Sequence, residues 1–108
     1  MLKFIDVIPA QESVRRGQSL NLLGGAANEG GAVAAEISVW ARAEGGWEAL
    51  LTRREDIGAG EHRHLYYTLG PECFSQARWG NEIEELELII SDHMPPEDAR
   101  GRVVFVDW

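Results

Sequence analysis

The sequence predicts an all-β fold, a sandwich or barrel of about seven strands, and two observations carry that expectation. Apolar runs recur at 2–9, 18–28, 33–43, 47–54, 62–69, 83–92 and 102–108, with Gly, Pro, Asn or Asp between them. Short runs spaced roughly 8–15 residues apart belong to packed sheets. No stretch repeats with the period of an amphipathic helix.

Each run has a local reason. The first ends at Pro9, which has no N–H to donate and suits a strand end or an edge. The second follows Gly17 and holds Gly24-Gly25, predicting a bulge or a close backbone approach. Asn28-Glu29-Gly30-Gly31 then makes a turn. In the third run Ile37, Val39 and Ala41 share one face, and Glu36, Ser38, Trp40 and Arg42 the other. Glu44-Gly45-Gly46 reads as a hairpin into the fourth run, and Gly58-Ala59-Gly60 leads to the fifth. There Leu65, Tyr67 and Leu69 oppose His62, His64, Tyr66 and Thr68. The sixth sets Leu86, Leu88 and Ile90 against Glu85, Glu87 and Ile89.

The last run is apolar on both sides, Val103 and Phe105 on one, Val104, Val106 and Trp108 on the other. The expectation is that Val103 and Phe105 face the core with Ile37, Val39, Leu86 and Leu88. Two connections are long. Residues 70–82 carry Pro71, Phe74, Trp79 and Gly80, read as a plug for one end of the core, with a single helical turn over 74–79. Residues 91–101 carry Pro95-Pro96 and read as an exposed loop.

A chain of 108 residues is one domain, 1–108, large enough for a core without disulfide or metal staples. The net charge of −8 argues against nucleic acid or anionic membrane as a partner, because phosphate recognition needs a basic stripe. Arg15–Arg16 and Arg53–Arg54 each have a nearby carboxylate, Glu12 and Glu55, and read as solvated strand ends. Cys73 is the only cysteine, so no intrachain disulfide forms. Its neighbours Glu72 and Phe74 are not those of a thiolate. No signal-type segment or stretch of transmembrane length is present. A cytoplasmic location is expected if Met1 is the native start, and an envelope or extracellular one if the domain is cut from a longer chain.

The order of motifs resembles CARDB-type and related bacterial immunoglobulin-like domains. The matching pieces are an x-x-G-x-x-L-x-L entry from Val14 to Leu22 and a small-residue strand ending in Asn28-Glu29-Gly30. An amphipathic strand with a Gly-Gly hairpin, a G-x-G-E-x-x-x-L-x-Y-x-L strand from Gly58 to Leu69, and a strand-loop-strand finish follow. The chain departs from that pattern at 92–98, which lacks an asparagine-rich turn, and has Trp79 where a tyrosine would precede the sixth strand. The resemblance implies an immunoglobulin-like sandwich of about seven antiparallel strands in two sheets. Runs one, two and five form one sheet; three, six and seven form the other, with run four at an edge. It also implies an interaction or spacer module.

Few residues suggest chemistry. His62 and His64, two apart on one strand face, could ligate a transition metal if folding supplied further ligands such as His93. The acidic stretches 81–85 and 92–98 lack the regular spacing of a calcium loop. No nucleophile elbow, zinc-protease motif or phosphate-cradling loop is present, so neither an enzyme nor a cofactor is expected. The outer face of the second sheet is expected to gather Trp40, Ile89, Val104, Val106 and Trp108 into an apolar patch that meets a protein partner or a second copy. The alternative expectation is a carbohydrate site, with Trp40 as the platform and Ser38, Glu36 and Arg42 beside it.

Overall fold

Alternating apolar positions sort the chain into two facing layers. The computed structural model describes residues 2–15, 17–43, 46–73 and 85–107. Its strands are β1 (Leu2–Pro9), β2 (Ser13–Arg15), β3 (Leu20–Asn28), β4 (Val33–Ala43), β5 (Gly46–Ile57), β6 (His62–Leu69), β7 (Glu85–Ser91) and β8 (Arg102–Asp107), with one 3-10 turn at Pro71–Cys73. One sheet has three strands in the order β1-β3-β6, and the other five in the order β2-β8-β7-β4-β5. This is an all-β, immunoglobulin-like sandwich, with the expected partition of strands between sheets. Of the plug expected over 70–82, residues 74–82 lie outside the described residues, with Trp79 and the helical turn expected over 74–79 among them. No helix among the described residues is long and apolar enough to cross a membrane.

The spacing of the apolar runs does not predict β2. After β1 the chain crosses between the sheets. The Ala10 N–H still bonds Asn21 O at 2.8 Å, whereas Glu12 O already accepts the Phe105 N–H at 3.0 Å. Ser13 to Arg15 then run parallel to Phe105 to Asp107. Burial of Val14 against the core holds this short strand in place.

Ile37, Val39, Ala41, Leu86, Leu88 and Ile90 face inward as expected, opposite Leu20, Leu22, Leu65, Tyr67 and Leu69 from the other sheet. Gly24 allows the layers to approach. A Cβ there would lie 2.7 Å from Ile90 Cδ1, so the close-approach reading of this glycine is the one that applies. The bulge falls in β1 instead, between Ile5 and Ile8.

The last strand reverses the expected orientation. Val104 and Val106 are 0% and 6% exposed, whereas Val103 and Phe105 are 43% and 56% exposed. Pairing decides this. Val104 lies opposite Leu86 and Val106 opposite Val14, and paired residues share a face. With Leu86 and Val14 committed to the core, Val104 and Val106 must follow.

Candidate functional site

The expected apolar patch is therefore not assembled as such. Trp40 and Ile89 do lie opposite each other on the outer face of the five-stranded sheet, each half-buried. The Trp40 indole N–H donates to Ser91 O at 3.3 Å. Val104 and Val106 belong to the core, and Trp108 lies outside the described residues.

Residues 92–101 form a mostly exposed loop, as expected, and Arg42 anchors it to this face. Its Nε donates to Glu87 Oε2 at 2.5 Å. Its other nitrogens donate to Glu97 O at 2.8 Å and to Ala99 O. The guanidinium also stacks 4.5 Å over Trp47. Trp47 is buried, and its indole N–H reaches Pro96 O at 3.1 Å. Desolvation pushes the Glu87 carboxyl upward. Hydrogen bonds from Arg42 and the Gly101 N–H, with the Arg42 and Arg100 charges, outweigh it and hold Glu87 below the usual carboxylate range.

The expected carbohydrate platform changes accordingly. Arg42 is engaged with the loop, and Ser38 Oγ lies 2.7 Å from Thr52 Oγ1. The exposed aromatic rings among the described residues are Tyr66 and Phe105 instead. Tyr66 sits on the outer face of the three-stranded sheet, its ring 6.5 Å from that of His64, with the Thr68–Asn21 hydrogen bond beside it.

His62 and His64 are exposed on that same outer face. Among the described residues, no group of three His, Cys, Asp or Glu is placed to hold a metal ion. Asp92 bonds the ring of His93 at 2.8 Å. Cys73 is buried, and desolvation together with the Glu72 charge pushes its thiol up, away from thiolate. The Arg53 cation stacks 4.3 Å over Tyr67 and donates to Tyr66 O at 2.9 Å, stitching β5 to β6.

One surface feature does not follow from the sequence pattern, a groove along β1 in two parts, the first against β7 and residues 100–102 and the second against β8. Its first part, about 360 Å³, is walled by Phe4, Ile5, Val7 and Ile89, with Arg100 and Arg102 at its margin. Its second part, about 490 Å³, is walled by Ile8, Pro9, Val103 and Phe105, with Glu12 and again Arg102. Arg102 lines both parts. The signal available in the sequence was the aliphatic pair Ile5 and Ile8, which a bulge turns toward solvent, and that bulge is set by tertiary pairing.

No family model matches the chain, and no curated protein matches it. Solved structures do share its fold. A β-glucosidase from Erythrobacter marinus superimposes with a TM-score of 0.76 at 14% identity, over 98% of this chain and 15% of that one. A β-glucosidase from Listeria innocua in complex with gluconolactone gives 0.70 at 18% identity, over 99% of this chain and 16% of that one. The chain thus spans about one-sixth of the length of these enzymes, and at such identity the likeness is one of fold alone.

Proposed function

We propose that this domain is a non-catalytic interaction module that binds a protein surface. The observation that carries the reading is the cluster of exposed apolar side chains, Ile8, Val103 and Phe105, around one groove. Grouped apolar exposure of this kind marks interaction surfaces more often than scattered residues do. The resemblance to CARDB-type domains supports it, since those serve as interaction or spacer modules. The occurrence of the same fold as about one-sixth of larger enzymes is consistent with a module that works beside bigger bodies.

The test is a photo-crosslinking residue at position 105, with position 66 on the other sheet as control. The reading expects one protein to be trapped from position 105, and its purified form to bind the domain but not a Phe105→Ser variant by calorimetry. Equal trapping from both positions, or unchanged binding by the variant, refutes it.

A carbohydrate-binding reading draws on the exposed Tyr66 and its neighbour His64, because an aromatic face can stack on a sugar ring. Affinity electrophoresis in β-glucan, with Tyr66→Ala as control, separates the two. Retardation lost in the variant favours sugar.

A further inference from the structure

The two arginines at the groove bear on what it accepts. The chain carries 18 acidic and 10 basic residues, and among the described residues Arg15, Arg100 and Arg102 are the basic side chains without an ion pair, of which Arg100 and Arg102 lie at the groove. Among the described residues, Lys3 pairs with Glu29, Arg42 with Glu87, Arg53 with Glu55, Arg54 with Asp56, and Arg63 with both Glu55 and Glu61. Neither Arg100 nor Arg102 makes a side-chain hydrogen bond or ion pair to a described residue. The Arg100 charge is felt by Glu87, but that carboxylate already accepts from Arg42 and the Gly101 N–H.

Both arginines line the groove whose walls carry Ile5 and Ile8, 59% and 52% exposed, and Phe105. The groove follows β1, an edge strand that pairs with β3 alone. An edge strand offers unpaired backbone groups beside these walls, which suits an extended chain better than a globular knob. Guanidinium groups recognise carboxylates by two parallel hydrogen bonds, and adjacent apolar walls strengthen such pairs by excluding water. A second copy of this domain brings its own charge of −8, so self-association is opposed at long range.

Resting on the interaction-module reading, we infer that the groove along β1 accepts an extended segment of a partner protein that alternates apolar side chains with carboxylates. The apolar side chains lie against Ile5, Ile8 and Phe105, and the carboxylates pair with Arg100 and Arg102. Affinity comes from the walls, and the choice of partner comes from the two arginines.

The test uses labelled synthetic peptides about eight residues long, a length that spans about 25 Å when extended. One set alternates Leu or Phe with Asp or Glu, a second places Lys at the acidic positions, and a third Ser. Fluorescence anisotropy with the whole chain should show the acidic set binding at least tenfold more tightly than the Lys set. Raising salt from about 0.05 to 0.5 M should weaken the acidic set. The Arg100→Gln/Arg102→Gln variant, checked for an unchanged thermal melt, should lose that preference. Arg102→Glu should turn it toward the Lys set. Equal binding of the sets, or a preference that survives the double variant, overturns the inference. The module reading still stands in that case if Phe105→Ser abolishes binding. No binding of any set at about 1 mM overturns the inference too, and the crosslinking experiment then decides the module reading independently. A concentration-dependent dimer in light scattering, broken by Phe105→Ser, overturns it in favour of a second copy.

Discussion

Arg42 lies 4.5 Å over the ring of Trp47, and the two side chains hold the same loop, Arg42 through Glu97 O and Ala99 O and Trp47 through Pro96 O. They occupy opposite positions on β4 and β5, so the hairpin itself presents a two-pronged anchor. Arg42→Ala removes two carbonyl bonds, a stacking contact and the ion pair of a mostly buried Glu87. The expected loss is about 2–4 kcal/mol, read by urea denaturation. Hydrogen exchange over 96–101 should rise with it. Arg42→Lys keeps the charge but cannot fork to three acceptors, and should recover only part of the loss.

Glu87 makes the anchor sensitive to acid. Its folded-state pKa lies below the usual value, so the carboxylate contributes stability above its unfolded pKa of about 4.3. That contribution is lost as pH falls through the lower, folded value. Wild-type protein should lose stability in this acid window faster than Glu87→Gln, and the two curves should converge at the acid end. Parallel curves throughout would show that Glu87 plays no part in the acid response.

The orientation of β8 separates neighbouring valines by what they touch. Val104→Ala empties space beside Leu86 in the core and should cost about 2 kcal/mol. Val103→Ala, on the outer face, should stay within about 0.5 kcal/mol of wild type. Equal losses at both positions would refute the observed register.

Ile90 Cδ1, from the other sheet, occupies the space that a side chain at Gly24 would need. Gly24→Ala drives a methyl group into Ile90 Cδ1 and should cost about 1–3 kcal/mol. Ile90→Val removes that terminal carbon at about 0.5–1.5 kcal/mol. The double variant should be more stable than the sum of the two losses implies, with a coupling of about 1 kcal/mol in a double-mutant cycle. Strict additivity would place the two sheets further apart than observed.

What the sequence by itself determined is the division of this chain into strands and the inward face of β4, β6 and β7. In β4, β6 and β7 the alternation of large apolar and polar residues allows one solution, because the opposite face would bury Arg42, His64 or Glu87. Tertiary structure alone decided β8. Val103, Val104, Phe105 and Val106 give both faces similar transfer free energy, so only pairing with Leu86 and Val14 selects the one that is buried. It also decided the candidate site. Trp47 gains its place only when residues 96–99 bond to it and to Arg42, and Arg100 and Arg102 acquire a groove only when β1 packs beside β7 and β8. Contacts of this kind join residues some fifty to a hundred positions apart. No local periodicity records them, since each depends on a sheet arrangement that exists only after the chain has folded.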